Sequence, residues 1–366
     1  MFKSYRNPLL GAATFLVFGA SLCTSGAASA NTVAQVSNST VFVSRNEYNN
    51  NLNFYWQAVG SPNWSSAEQV AAAPNAQSDP AVAQVGNSTV IAVQGTNGLD
   101  YYWQAVGSPS WSQPQLVSTA ATQGTPSIAQ SGQATVIAAL TPSGQIDFFY
   151  QGIGGSTWSQ AQQVTGPAAS GSPAGTYGEP SITQVGNSTE IAATGPNGTL
   201  WMFWQQIGTT KWHSEQVGGS YLTYTKPAIA QVGEETVIAV GVDSALDTYT
   251  QTIGGTAWTP YQVASSEDGF GDPSITQVGN SEAIAAYNFE LNSQGQSVTA
   301  LWSYVETPAG NPAIPYQVSA YAPVWAHGDP TIADVNGSAV IGVPQTNGTG
   351  LFYWESGWNW HPETVG

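Results

Sequence analysis

Two sets of residues in this chain have types and spacings that could do chemistry. The first is a recurrent pair of aromatics eight residues apart: Trp56 and Trp64, Trp103 and Trp111, Trp204 and Trp212. Tyr150 replaces the first member before Trp158, and Thr250 replaces it before Trp258. The last copy holds Trp354 and Trp360 with an extra Trp358, and in one copy Ala313 stands nearest the second position. Sugars present an apolar C–H face that packs on indole, while nearby amides take the hydroxyls. Trp64, Trp111, Trp158, Trp212, Trp258 and Trp360 are therefore the candidate sugar-binding residues. The competing reading makes these rings wedges between packed sheets, the first member of each pair more so than the second.

The second set precedes a recurring proline: Asp79, Glu179, Asp272 and Asp329, with Thr125 and Lys226 at the same place in two further copies. If the segment after that proline is an inner strand, these side chains ring one mouth of a central channel. Carboxylates there could accept sugar hydroxyls or collect a hard cation such as Ca²⁺. Asp-Pro and Glu-Pro also simply begin turns, and Lys226 interrupts the acidic ring, so no metal site is assigned.

The elements that must position both sets come from an internal repeat. Its anchor reads PAVAQV at Pro80, PSIAQS at Pro126, PSITQV at Pro180, PAIAQV at Pro227, PSITQV at Pro273 and PTIADV at Pro330, and NTVAQV starts at Asn31 without the proline. Seven units starting near residues 31, 80, 126, 180, 227, 273 and 330 average 48 residues and fill the chain from 31 to 366 as one domain. Long spacings mark insertions near Ser170 and between residues 290 and 310. Each unit reads as four short strands. Proline suits the start of the anchor strand, where it donates no ladder hydrogen bond. Thr89–Val93 is a near-continuous apolar run, as for a strand buried on both faces. Asn97-Gly98, Ser143-Gly144, Asn197-Gly198 and Asn347-Gly348 suit tight hairpins. An aromatic strand follows, then a Gly-rich connection carrying a Trp into a fourth strand that ends in Gln-x-Val. The expected fold is all-β: a seven-bladed β-propeller. Since the first and last units both begin at the anchor, repeat and blade should coincide, with no strand exchanged to close the ring.

The repeats P-S-I-A-Q-V…F-Y-W-Q…W-S…E-Q-V resemble those of tectonin-type and bacterial and fungal fucose-lectin-type propellers. The resemblance spans residues 31–366 and implies several equivalent sugar sites around a ring. The fungal fucose lectins use an Arg and a Glu with an aromatic. Beyond residue 30 this chain has only Arg45, Lys211 and Lys226, so an Arg cannot serve each repeat. Aromatic platforms with neutral polar groups are the closer analogy.

Composition excludes several classes. Residues 1–30 read as a secretory signal: Lys3 and Arg6, an apolar run from Leu9 to Leu22, and a small-x-small site at Ala28-Ser29-Ala30. That run is too short for a transmembrane anchor, and Leu22 is a poor residue before a lipidated Cys23, the chain's one cysteine. The expectation is a secreted, extracellular protein without disulfides. Losing two of five basic residues takes the formal charge from −17 to −19. That excludes nucleic acid and anionic membrane surfaces as partners. With nearly all formal charge on carboxylate, solubility should fall as the acids protonate. Asn-x-Ser/Thr sequons such as Asn87-Ser88-Thr89 recur at one turn and read first as turn chemistry.

Enzyme signatures are sparse. A sialidase box is absent, since Gly155-Ser156-Thr157-Trp158 and Gly255-Thr256-Ala257-Trp258 lack its Asp. His213, His327 and His361 have no metal-ligand spacing. A unique centre would have to lie in the insertions, at 171–179 or around Glu290, Glu306, Trp325 and His327, and a glycoside hydrolase or lyase would need two or three convergent carboxylates. The expected function is non-enzymatic binding of carbohydrate or glycoconjugate, multivalent and without a cofactor. A protein-binding or adhesion scaffold is the first alternative and a hydrolase the second.

Overall fold

The computed structural model describes residues 32–70, 76–120, 122–165, 172–218, 225–266, 269–291, 297–306, 313–319, 328–357 and 359–366. The candidate signal segment, Trp325, His327 and Trp358 lie outside these residues. Seven four-stranded antiparallel sheets follow one another along the chain, each in simple order, forming a seven-bladed β-propeller. Among the described residues no helix is long and apolar enough to cross a membrane.

Blade 2 shows how the sequence builds a unit. Ala81–Val85 is innermost, followed by Ser88–Gly95, Gly98–Ala105 and an outer strand, Gln115–Ser118. The second strand is buried on both faces: Val90 and Ala92 pack toward blade 3, and Ile91 and Val93 toward blade 1. The core is thus seven apolar seams, one between each pair of adjacent blades. The outer strands of blades 1 and 3 are only two residues long, which limits edge-to-edge pairing there. The candidate Trp therefore lie in the connection before the fourth strand, apart from Trp360, which sits within Asn359–Val365.

The first and last sheets each contain four consecutive strands, so the ring closes without strand exchange. Side chains close it instead. Thr32 and Thr331 hydroxyls meet at 2.8 Å, and the Gly348 carbonyl of blade 7 accepts from Ser44 Oγ (2.6 Å), Asn53 Nδ2 (2.8 Å) and Tyr55 Oη (2.9 Å) of blade 1.

A belt of glutamines runs around the ring. Each anchor Gln sends Nε2 to the carbonyl of its own following turn and accepts at Oε1 a backbone N–H from the turn of the preceding blade. Gln84 accepts from Ser37 (2.8 Å), Gln130 from Gly86 (2.8 Å), Gln184 from Gly132 (2.8 Å), Gln231 from Gly186 (2.9 Å), Gln277 from Gly233 (2.9 Å) and Gln35 from Asn336 (2.9 Å). Only an amide can donate and accept in this way. In blade 7 the position is Asp334, whose carboxylate turns back to accept from Gly337 N at 2.9 Å. The blade 6–7 seam is the one place where the belt is open. The turn residues that donate have positive φ, from Gly186 at 52° to Gly233 at 59°, and Ser37 takes the same left-handed conformation at 53°.

Candidate functional site

The eight-residue pairs meet at the seams, and the two members do different jobs. The second Trp of each pair packs edge-on against an aromatic of the preceding blade: Trp64 on Phe352, Trp111 on Phe54, Trp158 on Tyr101 and Trp212 on Phe148, each with ring centroids 5.0 Å apart and interplanar angles of 72–76°. Trp258 packs in the seam that holds Met202, and Trp360 in the seam of blades 6 and 7. Ala313 occupies the equivalent place in the blade 5–6 seam, with Trp302 packed in the same cluster. Such contacts add about 0.5–1.5 kcal/mol beyond area burial.

The first members are the exposed ones: Trp56 is 43% exposed, Trp103 41% and Tyr150 42%. The sequence expectation that the first ring is the more structural is therefore reversed. Strand geometry is the reason. Tyr101 and Trp103 point to the same side of their strand, but Trp103 lies nearer its end, beyond the packed seam. Trp64, Trp111, Trp158, Trp212, Trp258 and Trp360 pack into the seams, and the indole N–H is the polar group each brings there.

Four positions build each groove: the exposed aromatic and a strand-four Glu or Gln from one blade, and a Gln and the wedge Trp from the next. In two grooves the set is internally satisfied. Between blades 7 and 1, Glu363 accepts from Trp354 Nε1 (2.9 Å), Trp64 Nε1 (3.1 Å) and Gln57 Nε2 (3.2 Å). Between blades 4 and 5, Glu215 accepts from Trp258 Nε1 (2.8 Å) and Gln251 Nε2 (3.0 Å). Imidazoles stack on the aromatic in both: His361 on Trp354 at 4.3 Å and His213 on Trp204 at 4.2 Å. Glu190 is buried in the blade 4–5 seam, accepting from Thr236 Oγ1 at 3.1 Å. Burial, opposed by that hydrogen bond and reinforced by Glu215, pushes it up to about 7.

Three grooves are left open. Between blades 1 and 2, 2 and 3, and 3 and 4, the aromatic is exposed, and Trp111, Trp158 and Trp212 have a buried Nε1 with no partner in the protein. Glu68 is used by Trp56 Nε1 at 3.1 Å, leaving Trp111 unmatched. Gln162 Oε1, at the strand-four place of blade 3, is likewise buried and unpartnered. In place of the two His, Ser65, Ser112 and Ser159 each accept the backbone N–H of the exposed aromatic at 3.0 Å. These small residues leave the ring face bare.

The channel-mouth residues do come together. Thr125, Glu179, Lys226, Asp272, Asp329 and Asp79 line one cavity. Lys226 Nζ lies 3.3 Å from Glu179 Oε2, and its backbone N–H donates to Asp272 Oδ1 at 2.8 Å. Asp79 pairs with Arg45 Nε at 3.5 Å. Asp272 and Asp329 hydrogen-bond to each other and so share a proton. Burial first, then Asp272, pushes Asp329 up to about 8, and burial also raises Asp272. Lys226 already supplies positive charge among these acids, and among the described residues no group of three His, Cys, Asp or Glu is placed to hold a metal ion. The geometry is therefore not that of the Ca²⁺ site considered from sequence.

The anchor Gln, the Ser or His after each wedge Trp, and the strand-four Glu or Gln were not recognised from sequence. Their recurrence at fixed places in the repeat was the available signal.

No protein-family model and no curated protein matches this chain. Solved structures do. AofleA from Arthrobotrys oligospora aligns at TM-score 0.52 and 12% identity over 80% of this chain and 86% of its own. The Aleuria aurantia lectin, solved with α-methyl-L-fucoside, aligns at 0.50 and 14% over 77% and 92%. A prolyl endopeptidase aligns at 0.55 and 11% over 93% of this chain, which spans half of that protein. At such identities these likenesses establish the propeller fold.

Proposed function

We propose that the protein is a carbohydrate-binding propeller whose sugar sites are the three open grooves between blades 1 and 4. One observation carries the reading: in the grooves with exposed Trp56, Trp103 and Tyr150 the wedge Trp111, Trp158 and Trp212 also keep an unmatched buried indole N–H, whereas Trp360, whose N–H is unmatched too, faces Val305 at the aromatic position. A pyranose stacked on the ring by its C–H face would place a hydroxyl on that N–H, and Gln115 or Gln162 would take a second. An unmade buried hydrogen bond is costly, so a hydroxyl in this place is worth more than one at an open surface. The lectin likeness supports the assignment and suggests α-methyl-L-fucoside as an early probe. The grooves lack Arg, and apart from Glu68 their polar groups are neutral. Equivalent weak sites on one rigid ring gain from avidity toward a multivalent glycan. A glycan array on the chain beginning at Asn31 tests this: binding to neutral glycans supports it, and no binding to any glycan at high protein concentration overturns it.

The convergence of Glu179, Asp272 and Asp329 at the mouth supports a second reading, glycoside hydrolysis with protonated Asp329 as acid. Release of nitrophenol from a panel of nitrophenyl glycosides, abolished in Asp329→Asn, is its test.

A further inference from the structure

The seam between blades 5 and 6 departs from the rest. Its aromatic position is Thr250 and its wedge position Ala313, so two rings present in the open grooves are missing. Where blade 5 carries Thr236 and Gln251, blade 6 carries Glu282 and Glu306.

Repeat geometry fixes where these carboxylates point. Thr236 donates across the blade 4–5 seam to Glu190, and Gln251 reaches Glu215 across the same seam. Glu282 and Glu306, direct partners on adjacent strands, therefore both face blade 5. There Glu235 stands at the exposed lip, close enough to act on both. Glu282 is only 7% exposed, and its Oε1 is buried without a hydrogen-bond partner. Burial, with Glu306 and Glu235 nearby, pushes it up to about 8. A buried carboxyl in that condition lacks a cation, and none of the described residues supplies one. Arg45 and Lys226 are engaged at the channel mouth, and Lys211 precedes Trp212 in blade 4.

We propose that the blade 5–6 groove binds the protonated primary amine of an amino sugar, held by Glu282 and Glu306 with Glu235 at the rim. An ammonium has three donors and no acceptor, which suits Glu306 and Glu282, the latter releasing its proton to solvent as the cation takes up the unmatched buried oxygen. Ala313 stands where other grooves carry a wedge indole, and its N–H donates to Tyr261 Oη of blade 5 at 3.2 Å. The open grooves of blades 2–3 and 3–4, by contrast, carry Gln115 and Gln162 in a groove with an unmatched N–H and suit neutral hydroxyls. The inference rests on reading inter-blade grooves as carbohydrate sites and is tested apart from it.

The experiment is titration of the protein with D-glucosamine, D-glucose and N-acetyl-D-glucosamine at pH 6.5, in wild type, Glu282→Gln and Glu306→Gln. Glucosamine should bind wild type about tenfold or more tighter than the two neutral sugars, the size of a lost charge-assisted hydrogen bond. Both variants should erase that preference without changing neutral-sugar binding. A wild type without the preference overturns the proposal. So does a preference that persists in both variants, which would mark diffuse attraction to a net-negative protein. If glucosamine shows the preference while neutral sugars do not bind at all, this site stands and the open-groove reading fails.

Discussion

Trp64 Nε1 donates to Glu363 Oε2 at 3.1 Å across the seam that joins the last blade to the first. The same indole edge in Trp158, facing Gln115 across the seam of blades 2 and 3, is buried and unmatched. A single recurring geometry therefore yields closed grooves and open ones. What separates them is whether a strand-four Glu accepts from the wedge indole, as Glu68 does not, and whether a His covers the exposed ring.

The two rings of an open groove should separate cleanly by mutation. Trp158→Ala removes a wedge from the core of a seam and should cost about 3 kcal/mol or more in stability. Trp103→Ala, on an exposed ring, should leave the denaturation midpoint nearly unchanged and abolish sugar binding in its groove. Urea denaturation and ligand titration on both variants check this. Loss of stability in Trp103→Ala with none in Trp158→Ala would reverse the assignment.

The open belt position at Asp334 should be improvable. Asp334→Gln restores the group that donates to its own turn and accepts from the preceding blade, here Gly279 N. One added hydrogen bond of this kind is worth about 1 kcal/mol, and a raised thermal midpoint is expected. Gln184→Ala, which leaves Gly132 N without its acceptor, should move the midpoint the other way.

Ser37 is the one non-glycine, non-asparagine residue at the left-handed position of the first hairpin turn. Ser37→Gly keeps the N–H that Gln84 accepts and relieves a conformation costing an L-residue about 1 kcal/mol. Stabilisation by roughly that amount is the expected result in urea denaturation.

Stability should rise on mild acidification. Asp329 and Glu282 are pushed up to about 8 and Glu190 to about 7, all above the values these carboxyls have in an unfolded chain. Groups raised on folding give their full contribution below the unfolded values, near pH 4, and lose it as pH climbs through 7 to 8. Only Arg45 and Lys226 form ion pairs among the described residues, so acid has little to break. The thermal midpoint should be higher at pH 5 than at pH 8.5, by roughly 5 °C or more. Near pH 3, where acids of ordinary pKa are neutral, light scattering should report association before circular dichroism reports unfolding. A midpoint that rises toward pH 8.5 would contradict this account.

The fold was legible because the repeat writes it seven times. Proline at the anchor, apolar Thr89–Val93 and glycine at the hairpin each constrain one strand, and a misread copy is corrected by the others. The pairing of Trp with Trp was legible too, but not the division of labour. Eight-residue spacing does not say that Trp103 stands beyond the seam while Trp111 is wedged inside it, because that depends on the twist of one blade over the next. Gln84 passed as part of an anchor motif, since its partner is a backbone N–H, which carries no sequence signal. The mouth acids were found by their place before proline. That Asp272 and Asp329 would share a proton followed only from the curvature that brings adjacent blades together at the axis.

The most direct test of the central claim is the stoichiometry of neutral-glycan binding by isothermal titration, using the tightest ligand from an array. The account predicts three sites per chain, with one lost in each of Trp56→Ala, Trp103→Ala and Tyr150→Ala. A single site untouched by all three substitutions would contradict it.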